Sequence, residues 1–79
     1  MCEVEIKLNT IDDVKNLVSD ITEFECDFEI VSGRFVVDAK SIMGIFSLDL
    51  SKKLMLVIQS DDEYEIDKIK DKIEKFIAK

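Results

Sequence analysis

The chain opens with alternation. Cys2, Val4, Ile6 and Leu8 fall on one side of an extended backbone, and Glu3, Glu5 and Lys7 on the other. That period of two predicts a half-buried strand. The period then changes: Ile11, Val14, Leu17, Val18 and Ile21 recur at helical spacing, with Thr10 just before them and Asp13 three residues after Thr10. The pair predicts a capping box in which Asp replaces the usual Glu. Asp12 and Asp13 in the first turn also suit the positive end of the helix dipole.

Alternation returns at Phe28 and Ile30 against Asp27 and Glu29, breaks at Ser32-Gly33, and resumes at Phe35-Val36-Val37. This predicts a β-hairpin turning near Ser32-Gly33-Arg34. Ser41 is then a candidate N-cap for a short helix within residues 42–48, interrupted by Gly44. Residues 53–59 contain the unbroken apolar run Leu54-Met55-Leu56-Val57-Ile58, as expected of a central strand covered on at least one face. Ser60-Asp61-Asp62-Glu63 opens a last helix that carries Ile66, Ile69, Ile73, Phe76 and Ile77. Its acidic start and the later Lys68, Lys70, Lys72 and Lys75 follow the dipole, and the lysines read as its solvated face.

The order is therefore β-α-β-β-α-β-α. It predicts an α+β fold, a four-stranded, mainly antiparallel sheet with three helices on one face. No proline occurs in the chain, and no linker-like or repeated stretch interrupts the pattern, so residues 1–79 read as one domain.

Composition narrows what such a domain can do. A chain of 79 residues buries only roughly 60% of its unfolded surface, which leaves little room for a deep enclosed active site. The formal net charge of −7 disfavours nucleic-acid backbones and anionic membrane surfaces and suits basic partner surfaces. Cys2 and Cys26, the two cysteines, are far apart and in phase with apolar neighbours, so buried free thiols are expected rather than a disulfide. The start of the chain lacks the basic and continuous apolar regions of a secretory signal. No apolar run reaches the ~20 residues of a membrane span. A cytoplasmic location is expected.

Candidate chemistry is sparse. Histidine is absent and only two glycines occur, which excludes Ser-His-Asp and Cys-His arrangements and leaves no phosphate-cradling glycine loop. The acidic pairs stand at helix starts, where the dipole accounts for them, so neither a metal site nor a cofactor is expected. Lys40-Ser41-Ile42-Met43-Gly44 stands apart. It places a hydroxyl at a helix start, followed by Ile42, Met43, Ile45 and Phe46 on a helix too short to bury them all. Either Ser41 merely caps and these side chains belong to the core, or some of them form an exposed docking patch.

Residues 37–48, Val37-Asp38-Ala39-Lys40-Ser41-Ile42-Met43-Gly44-Ile45-Phe46-Ser47-Leu48, resemble the regulatory-serine segment of HPr, the phosphocarrier of the bacterial sugar phosphotransferase system. The strand Leu54–Gln59, the acidic helix start and the final amphipathic helix match that family in order and length. Asp27-Phe28-Glu29-Ile30 and the first helix fall into the same register. The resemblance implies the family's open-faced β-sandwich of β-α-β-β-α-β-α order, in agreement with the periodicity.

In that register Thr10 occupies the place of the family's phosphohistidine, Asp12 that of its arginine and Asp13 that of its proline. A threonine phosphate ester is far less suited to onward transfer than a phosphohistidine, and Asp12 would repel a phosphoryl group. The resemblance thus implies a histidine-less member, similar to catabolite-repression HPr, and not an enzyme. Ser41 would be the phosphorylation site, with Ile42, Met43 and Phe46 as partner contacts. The implied partners are an HPr kinase/phosphorylase and a transcription regulator. Two alternatives stand beside this: a carrier using Thr10 or an aspartate, and a divergent interaction module with no phosphorylation at all.

Overall fold

Among residues 1–78, which the computed structural model describes, the elements follow the expected order. They are β1 (Cys2–Ile6), α1 (Ile11–Thr22), β2 (Asp27–Ser32), β3 (Phe35–Asp38), α2 (Ile42–Phe46), β4 (Leu54–Gln59) and α3 (Glu63–Lys72), then a 3-10 turn at Glu74–Phe76. The strands form a sheet of order β1-β4-β2-β3 in which every pairing is antiparallel. The unbroken apolar run is indeed a central strand: β4 lies between β1 and β2.

Register explains where the core sits, because residues paired across an antiparallel ladder share a face. Val4 pairs with Leu56, Leu56 with Ile30, and Ile30 with Val37. The parallel rows hold Ile6 with Leu54 and Ile58 with Phe28. This face meets Val14, Leu17 and Ile21 of α1, Ile45 of α2, and Ile69, Ile73 and Phe76 from the C-terminal segment in one cluster. Burial of each such Leu, Ile or Phe contributes about 1.5–3 kcal/mol. The other face carries Glu3, Glu5, Asp27, Glu29, Val31, Val36, Asp38, Met55 and Gln59, all exposed or half-buried. Val57 is the exception there, buried between Glu3 and Glu29 in the register.

The β2–β3 hairpin turns on Gly33-Arg34, with Ser32 paired to Phe35. Gly33 has φ +59°, and no other described residue has positive φ, which fits a type II′ turn with glycine at its first central position.

Four expectations change. Leu8 is buried but lies beyond the end of β1. Ile11, counted with the apolar face of α1, is 63% exposed; it occupies the first helical position, before α1 runs over the sheet. Cys2 and Cys26 are free but half-buried rather than buried. The last helix does not run on through Ile77. It stops at Lys72, and the chain then tightens into the 3-10 turn. Beyond that turn Ile77 bridges Ile6 antiparallel, the Lys7 N–H donates to the Phe76 carbonyl at 2.8 Å, and the Ala78 N–H donates to the Glu5 carbonyl at 2.8 Å. The outer edge of β1 supplies polar groups that a continued helix would leave unpaired. Among the described residues no helix is long and apolar enough to cross a membrane.

Candidate functional site

Two helix starts carry the candidate residues. Ser41 is the N-cap of α2 in extended conformation, and its Oγ accepts from the Gly44 N–H at 3.2 Å. The Ser41 carbonyl accepts the Ile45 N–H at 3.1 Å, and the Ser41 N–H donates to the Asp38 carbonyl at 3.0 Å. The Asp38 carboxylate accepts the Lys40 N–H at 2.9 Å. Ser41 is thereby held from both sides in a half-buried position. Gly44 matters here for space: a Cβ on it would stand 3.3 Å from Ser41 Oγ and 3.4 Å from Val37 Cβ.

The apolar residues of α2 divide. Ile45 is fully buried in the core and Ile42 packs half-buried against it. Met43 is 79% exposed and Phe46 is 38% exposed. A one-and-a-half-turn helix anchored by Ile45 must present the opposite side to solvent. The Lys40 Nζ donates to the Phe24 carbonyl at 2.7 Å and lies 5.6 Å from the centre of the Phe28 ring. The backbone carbonyl of Phe24 and the ring thus fix a cation one residue before Ser41. Sequence pattern carries no signal for this contact, which spans 16 residues.

Thr10 caps α1 with the expected capping box. Its Oγ1 accepts from the Asp13 N–H at 3.0 Å, and Asp13 Oδ2 accepts from the N–H groups of Asn9 at 2.8 Å and Thr10 at 3.3 Å. Thr10 and Asp12 are exposed. The helix start already holds one carboxylate, on the Asn9 and Thr10 N–H groups, and carries a second at Asp12, so it is poorly placed to receive another anion. α1 and α2 pack against each other, which puts both candidate starts on the helical side of the sheet.

Burial, and then the charge and hydrogen bond of Glu65, push the Cys26 thiol above its ordinary value, while Lys40 opposes the shift. No group of three or more Cys, Asp or Glu side chains among the described residues is arranged to hold a metal.

The family model "PTS HPr component phosphorylation site" matches residues 13–79. The chain belongs to the HPr family. Proteins of this family are phosphocarriers of the phosphotransferase system. Among solved structures, the chain is similar to HPr-C-His from Thermoanaerobacter tengcongensis at 29% identity, with a TM-score of 0.70, covering 94% of this chain and 97% of that one. It shares its fold with Crh, the catabolite repression protein of Bacillus subtilis, at 24% identity and TM-score 0.65, over 96% and 90% of the two chains. It also shares the fold of a Mycoplasma histidine-containing phosphocarrier protein at 15% identity and TM-score 0.67, over 99% and 98%. No curated protein sequence matches it. Within an HPr-family chain, the absence of histidine bears directly on carrier chemistry.

Proposed function

We propose that this protein is a regulatory, non-catalytic HPr-family member that has given up phosphoryl carriage and is controlled by phosphorylation of Ser41. The observation that carries the reading is the contrast at α2. A half-buried serine caps a helix whose first turn holds no acidic residue, and two apolar side chains, Met43 and Phe46, stand exposed beside it. In the reaction, Ser41 Oγ forms a bond to the γ-phosphorus of ATP, the bond from that phosphorus to the β-bridging oxygen breaks, the hydroxyl proton is lost and ADP leaves. The product gains about −1.5 to −2 charge and three acceptor oxygens beside the N–H groups of the α2 start.

Thr10 takes the place of the carrier histidine and Asp12 that of the arginine, and both have a sufficient structural role in starting α1. Ile42, Met43 and Phe46 are the partner contacts in this reading, Met43 and Phe46 exposed and Ile42 half-buried against the core. The partners are an HPr kinase/phosphorylase and, for the phosphorylated form, a transcription regulator whose basic surface complements an acidic chain. The setting is the bacterial cytoplasm, in catabolite repression. The whole of residues 1–79 acts as one domain.

The test is incubation with an HPr kinase and ATP, read by intact-mass spectrometry. A single added phosphate that disappears in Ser41→Ala is expected. No added phosphate, or phosphate that persists in Ser41→Ala, rejects the reading.

A further inference from the structure

The two edges of the sheet are treated differently. At β1 the C-terminal segment covers the Glu5–Lys7 end of the outer edge through the Ile6–Ile77 bridge and the hydrogen bonds of Lys7 and Ala78. At β3 no described element lies outside the strand. Phe35 is 69% exposed and Val36 is 56% exposed. Ser32 and Phe35 flank a two-residue turn, so they form a hydrogen-bonded pair, and the Ala39 N–H donates to the Phe28 carbonyl at 3.0 Å. Residues 35, 37 and 39 therefore direct their backbone polar groups toward β2. By the alternation of the ladder, the N–H and C=O of Val36 and the N–H of Asp38 point away from it. Three uncharged side chains in a row, Phe35-Val36-Val37, leave this edge without the lysine or proline that usually blocks one.

We infer that β3 pairs with β3 of a second copy of this chain, antiparallel about a two-fold axis through Val36. In that register Val36 faces its own copy and exchanges both backbone hydrogen bonds with it. Phe35 stands opposite the partner's Val37 on the helical side of the sheet, in two equivalent pairs. Arg34 stands opposite the partner's Asp38, again twice. The short strand is thus self-complementary in backbone groups, apolar surface and charge, which is the requirement of a two-fold interface. Opposite charges and aromatic–β-branched pairs at directly facing positions are the favourable cross-strand contacts. Charge complementarity selects a second copy over an unrelated strand, because the only arginine of the chain lies at one end of β3 and an aspartate closes the other.

Sedimentation equilibrium over a wide concentration range tests this. A reversible monomer–dimer equilibrium is expected, and Arg34→Glu or Asp38→Lys alone should weaken it at least about tenfold, since each replaces two attractions with two repulsions. Mixing the two variants should restore association as a heterodimer. The carboxylate introduced at position 34 of one chain then faces the ammonium introduced at position 38 of the other, and the retained Asp38 faces the retained Arg34. Val36→Pro should abolish the dimer while leaving the circular dichroism spectrum unchanged, since proline is tolerated where the N–H faces away from the sheet. A protein that stays monomeric throughout overturns the inference. So does a dimer indifferent to Arg34→Glu, or a mixture of charge variants that does not associate better than either alone. Ser41→Ala should leave the dimer intact, so failure here and failure of Ser41 phosphorylation are read separately.

Discussion

Thr10 and Ser41 perform the same local task and sit in opposite surroundings. Each hydroxyl oxygen accepts the N–H three residues on and begins a helix. Thr10 begins a helix of 12 residues with three buried anchors, and its first turn already contains Asp12 and Asp13. Ser41 begins a helix of five residues with one buried anchor and no acid in the first turn. Lys40 stands just before it. An anion added at Thr10 would meet the charges of Asp12 and Asp13 in the first turn of α1, the second of which already sits on the Asn9 and Thr10 N–H groups. An anion added at Ser41 meets one carboxylate, that of Asp38 on the Lys40 N–H, and no acid within the first turn of α2. Capping alone accounts for both residues, so what separates them is the charge and the exposed apolar surface nearby. The hydroxyl of Thr10 is enough to cap α1, so the fold needs no imidazole at that position.

The largest expected effect tests how loosely α2 is held. Ile45→Ala removes the helix's fully buried side chain and should cost about 2–5 kcal/mol. Its effect on amide exchange should be local. The N–H of Ile45, bonded to the Ser41 carbonyl, and that of Ser47, bonded to the Gly44 carbonyl, should exchange faster, while the N–H of Val14, bonded to the Thr10 carbonyl, keeps its protection relative to the global value. Equal loosening of α1 and α2 would break the contrast between a well-anchored and a singly anchored helix.

The caps come next. Thr10→Ala and Ser41→Ala should each lower stability by about 1 kcal/mol in denaturant titrations. Thr10→Ser should restore most of the loss, since the hydroxyl oxygen is what the Asp13 N–H needs. Their functional consequences should diverge: Ser41→Ala removes kinase-dependent phosphate, and Thr10→Ala leaves it unchanged. Phosphoenolpyruvate and Enzyme I should label neither the parent chain nor these variants. Labelling that vanishes in Thr10→Ala would instead make Thr10 a working acceptor and overturn the contrast.

Local spacing makes one of these starts readable from the chain alone. Thr10 and Asp13 meet because residues three apart share a helix face, and no distant part of the chain is needed. β4 is readable for a related reason, since five apolar residues in succession leave no polar face for solvent. Ser41 is readable as a cap, but the division of α2 into buried Ile45 and exposed Met43 and Phe46 is not. A helix this short can dock on several sides, and the sheet beneath decides which. The C-terminal bridge to Ile6 and the contact of Lys40 with Phe24 join distant segments and leave no periodic trace. Ile11 departs from expectation because the helical period places a residue on a stripe without revealing where along that stripe the helix meets the core.

The smallest effect is a titration that senses the cation on the Ser41 side. Cys26 is raised by burial first and by Glu65 second, while Lys40 lowers it. A thiol whose value is raised by folding favours the neutral form. The stability associated with it is complete below the unfolded thiol's value and is lost as pH rises through the folded one. In a Cys2→Ser background, alkylation of Cys26 should therefore follow a pH profile shifted upward from that of the unfolded chain. Glu65→Gln should move the profile down, though not fully back, because burial remains the larger cause. Lys40→Met should move it further up by removing the opposing charge. If Lys40→Met leaves the profile in place, its ammonium does not act across this part of the molecule. The charge contrast between the Ser41 and Thr10 starts would then rest on the acids at Thr10 alone.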